Sequence, residues 1–308
     1  MSISIPSPHM ISDLTSVLRR RGLEPKRMGD PSRTLYPQDT FRSIREAHDD
    51  LTYREYFPGE FISHYLQRFG KGSFRKLVRR LLRDGRQFVD VEELEAIAGG
   101  STADYLTYLE RTLLLERQGS QVRLTRDIND IGTSLEHYVA QICERDLRGA
   151  AEWGVRLENL PRSGGDFDVL AWLEPSLMYV ECKSARPREV DNTEIREFLQ
   201  RSLELAPDLA VLLIDTDDDL TPFVMDRINP IIRHALKISD KTYQPIQHQI
   251  AYPRVFHGFL RVYVINTNSS ILGQLRKCLQ HYYANVKGVS HWAFDETPNF
   301  TGHSVRDD

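Results

Sequence analysis

Asp168 and the run Glu181-Cys182-Lys183 are the residues of this 308-residue chain best placed to do chemistry. Apolar, strand-like stretches at 167–173 and 177–183 flank Glu174-Pro175-Ser176, a turn signal. If the turn centres between 174 and 175, facing residues sum to 349, and Asp168 lies opposite Glu181. Facing residues on one side of a sheet stand ~4.5–5.5 Å apart at Cβ. Alternation puts Glu181 and Lys183 on one face, and Asp166 and Asp168 likewise share a face. Two carboxylates that close repel, and in a partly buried site they call for a cation between them. A hard divalent ion such as Mg²⁺, held by carboxylates, a backbone carbonyl and water, answers that need. Such an ion acidifies a bound water and neutralises charge on a phosphoryl oxygen. Lys183 would position the attacking water or stabilise the developing negative charge. Asp166 is a rival for the first acidic role.

The runs Gly165-Asp166-Phe167-Asp168-Val169-Leu170 and Val180-Glu181-Cys182-Lys183-Ser184 resemble the PD-(D/E)XK nuclease superfamily, most closely its Mrr-type restriction endonuclease and Holliday-junction-resolvase branches. The resemblance covers about 132–266. It implies a restriction-endonuclease-like mixed sheet flanked by helices, and metal-dependent phosphodiester hydrolysis. It further implies Asp168 and Glu181 as metal ligands, the Cys182 carbonyl as a third, Lys183 as the catalytic lysine and Glu136 as an auxiliary acid. Mg²⁺ is the implied ion, with Mn²⁺ able to substitute. Phe167 stands where the motif proline is usual. A second acid-x-lysine triplet, Glu24-Pro25-Lys26, contains proline and lacks flanking strand pattern, so it is set aside.

Plainer readings compete residue by residue. Thr133-Ser134-Leu135-Glu136 fits a capping box, in which the glutamate only closes a helix end. Asp166 follows two glycines and suits a turn. Cys182 suits a small core residue, Gln200 a solvated helix position, and Asp215, Asp217, Asp218 and Asp219 a polar loop with a helix cap. His137 either lines the cleft beside Glu136 or faces solvent.

Around the motif, strands are expected at 154–160, 167–173, 177–183, 209–214 and 259–266. Helices are expected at 134–148, 191–205, 221–237 and 270–284, which makes residues 132–290 an α/β domain. Ahead of it, residues 59–126 alternate helical periodicity with glycine stops and end on a hairpin signal at Gln118-Gly119-Ser120. That order resembles a winged helix-turn-helix, whose third helix enters the major groove. The candidate nucleic-acid contacts are Arg75, Lys76, Arg79 and Arg80 on the second helix, Arg111 on the third, and Arg117, Arg123 and Arg126 on the wing. Between positions 68 and 86 there are eight basic residues and one acid, on a chain whose net charge is −4. A basic cluster on an otherwise acidic protein is a footprint of nucleic-acid binding. Residues 1–58, with short helices expected at 12–21 and 40–48, form an extension of unassigned role, and 291–308 a tail.

Composition, at 40% hydrophobic and 27% charged residues, excludes wholesale disorder. No apolar run approaches the ~18 residues of a membrane span. The three cysteines are far apart and form no C-x-x-C, so reduced thiols in the cytoplasm are expected. The leading expectation is a DNA endonuclease, in a setting of restriction or defence. The alternatives are a non-enzymatic regulator on a degenerate nuclease scaffold and an effector subunit of a larger defence assembly. Cutting both strands needs two sites, so a homodimer is the further partner expected besides DNA.

Overall fold

Leu209–Ile214 is an unbroken apolar hexapeptide, and a strand of that composition is stable only with both faces covered. The computed structural model describes residues 8–27, 29–30, 34–35, 58–83, 87–125, 131–160, 166–231, 248–249, 256–257 and 261–286, and it buries every residue of this strand. The expected helix at 40–48, Arg126 and the tail 291–308 lie outside the described residues.

The helices, in chain order, are α1 (Pro8–Arg20), α2 (Pro58–Phe69), α3 (Gly72–Arg83), α4 (Val91–Ala98), α5 (Thr102–Arg111), α6 (Gly132–Arg145), α7 (Asn192–Leu205), α8 (Thr221–Phe223) and α9 (Ile271–His281). The strands are β1 (Pro25–Arg27), β2 (Val89–Asp90), β3 (Leu115–Gln118), β4 (Gln121–Leu124), β5 (Ala150–Leu157), β6 (Phe167–Leu173), β7 (Ser176–Lys183), β8 (Leu209–Ile214), β9 (His248–Gln249), β10 (Phe256–His257) and β11 (Val262–Asn266). The fold is α/β, with a mixed eight-stranded sheet ordered β1-β5-β6-β7-β8-β11-β10-β9 and a separate antiparallel sheet ordered β2-β4-β3. The β5-β6-β7 meander is antiparallel. β7, β8 and β11 run parallel, so their C-terminal ends share one edge.

Alternation sorts each strand into two layers. Val169, Ala171, Met178, Val180, Val211 and Leu213 pack beneath α6 and α9. Leu170, Leu177, Tyr179, Leu212 and Val264 pack beneath α1 and α7. Residues 8–27, of unassigned role from sequence, join this layer: the helix expected at 12–21 is α1, which packs on the sheet, and β1 adds its edge strand. Leu14 and Leu18 of α1 enter its core, and Pro25 pairs with Leu157 on the edge strand. A proline, with no N–H to donate, is tolerated at an edge.

The small sheet and α3–α5 form the expected helical unit with its hairpin. The turn is Gly119-Ser120, with Gly119 at φ +61°, a conformation glycine adopts without strain. Its core residues Phe74, Leu77, Tyr105, Leu109 and Val122 are continuous with those of α6. Phe69 of α2 bridges the two, its ring 5.2 Å from that of Tyr138. Some boundaries differ from expectation. β5 begins at Ala150, and the helix expected from 221 gives way to a π-helical turn at Val224–Ile228.

Candidate active site at the open end of the meander

The β6–β7 hairpin turns at Glu174-Pro175, and its facing pairs run from Leu173↔Ser176 to Val169↔Val180. Continued by one step, that register sets Asp168 opposite Glu181, as the turn position implied. The backbone N–H of Cys182 donates to Asp168 Oδ2 at 2.7 Å. Successive peptide groups of a strand face opposite neighbours. The Lys183 carbonyl accepts from Asp215 N–H on the β8 side, so the Cys182 peptide groups turn toward β6 and Asp168.

Asp168 is held well above the usual carboxylate range. Burial is the largest cause, followed by the charges of Glu181 and then of Glu136. The charges of Glu181 and Glu136 therefore both bear on Asp168. Glu136 is half-buried on α6, near enough to act on both Asp168 and the Cys182 thiol. It does not sit in a capping box. α6 starts at Gly132, no side chain caps it, and the Ser134 hydroxyl instead accepts the Leu35 N–H at 2.9 Å.

Glu181 is 1% exposed and its charge is matched. Arg201 Nη2 donates to Oε1 at 2.7 Å, Lys183 Nζ stands 3.1 Å from the same oxygen, and the Tyr179 hydroxyl donates to Oε2. Arg201 Nε also reaches the Tyr179 oxygen at 2.9 Å. Lys183 has a second acid, Glu194 Oε1, at 3.0 Å. Burial works against the Lys183 charge, but Glu181 and Glu194 outweigh it and raise the ammonium above the ordinary lysine value. It stays protonated at neutral pH.

Arg201, Tyr179 and Glu194 do not stand out in the sequence, yet each leaves a trace there. Arg201 lies among Phe198, Ser202 and Leu205 on the buried stripe of α7, where a charge needs a buried partner. Tyr179 shares the face of Glu181 by period two. Glu194 completes a capping box with Asp191, whose side chain accepts from Glu194 N–H at 2.8 Å. The same carboxylate that closes the helix thus grips the lysine.

The other candidates separate. Asp166 pairs with Arg156 at 3.4 Å instead of competing for the Asp168 position. His137 neither lines a cleft nor faces solvent. It is buried edge-on against Trp153, with centroids 5.4 Å apart, and burial pushes its pKa down to about 4, so it is neutral. Burial, then the Asp168 and Glu136 charges, keep the Cys182 thiol protonated. Gln200 is an exposed helix residue bonded to Glu204.

The basic helix departs most from expectation. Arg75 is 1% exposed rather than on an outer face. Its guanidinium donates to Asp215 at 2.8–3.0 Å and to the Phe69 carbonyl at 2.7 Å. Arg79 also pairs with Asp215, and the Thr267 hydroxyl donates to it at 2.8 Å. The physical reason is the acid at the end of β8, which makes burial of a guanidinium tolerable. Lys76 pairs with Asp217, Arg80 with Glu93 at 2.5 Å, Arg117 with Glu110 at 2.5 Å and Arg123 with Glu116 at 2.9 Å. Arg111 is exposed at the end of α5. Of the acids expected to form a polar loop after β8, Asp215 and Asp217 thus serve as anchors for α3, while Asp219 accepts from the Thr221 N–H at 2.9 Å.

Among the described residues, no three His, Cys, Asp or Glu side chains are gathered closely enough to enclose a metal ion unaided. The donor chemistry at Asp168 nevertheless fits a hard cation. Oδ1 is left over from the Cys182 bond, Glu136 adds negative charge, and the Cys182 carbonyl faces the same side. Glu181 fits less directly, because Arg201, Lys183 and Tyr179 already engage both its oxygens. No described helix is long and apolar enough to cross a membrane.

No family model and no curated protein matches the sequence. Among solved structures, the chain is similar to protein VC1899 from Vibrio cholerae, at 15% identity and a TM-score of 0.42, over 88% of this chain and 61% of that one.

Proposed function

We propose that this chain is a divalent-metal-dependent endonuclease that hydrolyses phosphodiester bonds of DNA. The observation that supports it most is the set of Asp168, Glu181 and Lys183 at the open end of one hairpin, with Glu136 pressing on the first of them. Asp168, the Cys182 carbonyl and Glu136 would hold Mg²⁺ or Mn²⁺. When bound, the ion supplies an acidified water and charge neutralisation at the phosphoryl group. Lys183, kept protonated between Glu181 and Glu194, donates to the phosphoryl oxygen as negative charge develops and does not serve as a general base. Glu181 anchors that ammonium, and Arg201 with Tyr179 fixes Glu181 in turn. Restriction or defence is the setting we infer, with a homodimer or a larger assembly bringing a second site to the other strand.

A second reading has its own observation. Glu181 is neutralised by Arg201, as it would be on a scaffold that binds nucleic acid without cutting it. Incubating supercoiled plasmid with wild type and with Lys183→Ala, with and without Mg²⁺ or Mn²⁺, separates the two. Metal-dependent nicking by wild type, reduced by about 10²-fold or more in the variant, supports the nuclease. Equal cutting by both proteins refutes the assigned roles. No cutting by wild type on any DNA favours the scaffold.

A further inference from the structure

Lys76, Arg79 and Arg80 of α3, and Arg117 and Arg123 of the β3–β4 hairpin, each already face an acid of this chain, so unpaired cations elsewhere are the better-placed partners for a sugar-phosphate backbone. The edge of the sheet that carries Lys183 also carries the connections that follow β7 and β8. They differ in charge. The β8 connection carries Asp217, matched by Lys76, and the exposed Asp218 and Asp219, which disfavour a polyanion. The β7–α7 connection presents Arg186 and Arg188, both exposed, starting three residues beyond Lys183. Neither guanidinium makes an ion pair or hydrogen bond among the described residues.

That connection is also held in shape. Pro187, between the two arginines, is buried. Glu189 N–H donates to the Arg186 carbonyl at 2.9 Å, and Arg186 N–H donates to Glu189 Oε2 at 3.0 Å. Arg227 donates to the Pro187 carbonyl at 3.2 Å and to Asn192 Oδ1 at 3.0 and 3.1 Å. Of the nearby acids, Glu189 and Asp191 are exposed but accept from backbone N–H groups, and Glu194 accepts from the Asp191 N–H and pairs with Lys183. The loop therefore ties its carboxylates to backbone N–H groups and leaves its guanidinium groups without a partner among the described residues. Preorganised, unpaired arginines beside a reactive edge suit backbone phosphates, which set register without reading sequence.

We infer that Arg186 and Arg188 form the phosphate-contacting lip of the site, gripping the substrate strand next to the bond facing Lys183. This inference rests on the nuclease reading. The test is binding of a short fluorescein-labelled duplex by anisotropy across a salt series, with Mg²⁺ and with EDTA. Every protein carries Lys183→Ala so that the duplex stays whole. Arg186→Ala/Arg188→Ala is compared with a charge-matched control, Arg20→Ala/Arg148→Ala. The control arginines are exposed at the opposite end of the sheet. Arg148 precedes β5 where Ala150 pairs with Trp172, and Arg20 adjoins Arg21, which bonds Ala206 and Asp208 before β8.

Removing one arginine that neutralises a phosphate makes the salt slope shallower by about 0.9, so the expected change for the pair is about 2, with affinity lower by roughly ten-fold or more. The control should match the parent. Binding by the parent with the two doubles indistinguishable overturns the lip and leaves the nuclease reading standing. No binding by the parent under either condition overturns the lip and removes DNA as the substrate.

Discussion

Arg201 offers the sharpest test of the charge network behind the candidate site. Its side chain is 8% exposed, that of Glu181 2%, and they meet at 2.7 Å. Arg201→Met keeps much of the volume and removes the charge. It takes one of two cationic partners from a buried carboxylate oxygen and deprives the Tyr179 oxygen of a donor. Breaking a buried pair from one side costs about 3–5 kcal/mol. Lys183 stays 3.1 Å from the same oxygen and compensates in part, so the low end, about 3 kcal/mol, is expected. With a urea dependence of about 3 kcal/mol per molar, the unfolding midpoint falls by about 1 M. Glu181→Gln in the same background removes the stranded charge, and the double variant should recover about 1–2 kcal/mol of the loss. Urea unfolding followed by far-UV circular dichroism measures all four members of the cycle. A loss under about 0.5 kcal/mol for Arg201→Met, or strict additivity in the double variant, would refute the network.

Asp215→Asn should cost about 3–5 kcal/mol, because it leaves Arg75 buried with one charge partner fewer; thermal unfolding checks it. Burial raises the Asp215 carboxyl, but Arg75 and Arg79 outweigh it and hold it below the ordinary value. Its contribution is therefore present above the unfolded carboxylate pKa and is lost as pH falls through the lower folded value, which an acid-unfolding series on wild type and Asp215→Asn will show. Glu144 and Glu152 behave in the opposite way. Burial, and for Glu144 the neighbouring Glu152 charge, push each to about 7. Both favour the protonated form in the folded state, so stability is full below about pH 4.5 and declines as pH rises to about 7. Glu144→Gln should accordingly raise stability at pH 8 by about 1–2 kcal/mol and change little at pH 4. An unchanged urea midpoint at pH 8 would contradict the burial argument.

Strand content was largely legible because it is local. Six consecutive apolar residues at 209–214, and a hairpin bounded by Glu174-Pro175-Ser176, identify β8 and the β6–β7 pair without reference to the rest of the chain. The turn position also carried the register, since period two ties each residue to its facing partner. Elements whose partner is remote were missed. β1 contains three residues, one of them proline, and reads as a strand only beside Leu157. β9 and β10, of two residues each, likewise exist only through pairing.

The side-chain charges divide in the same way. From the sequence alone, the α/β alternation, the hairpin and the shared face of Glu181 and Lys183 follow, because the strand period and turn chemistry act over a few residues. The direction in which a long cation turns depends on whichever acid folding brings within reach. Arg75 and Asp215 are 140 residues apart in the chain, and Arg201 and Glu181 twenty. Arg75, on a helix read as a surface for nucleic acid, became an internal anchor, and a buried arginine came to hold the motif glutamate. Only the tertiary structure decided those pairings, because the energy of a charge is set by the distance to its partner in space and by the water excluded between them.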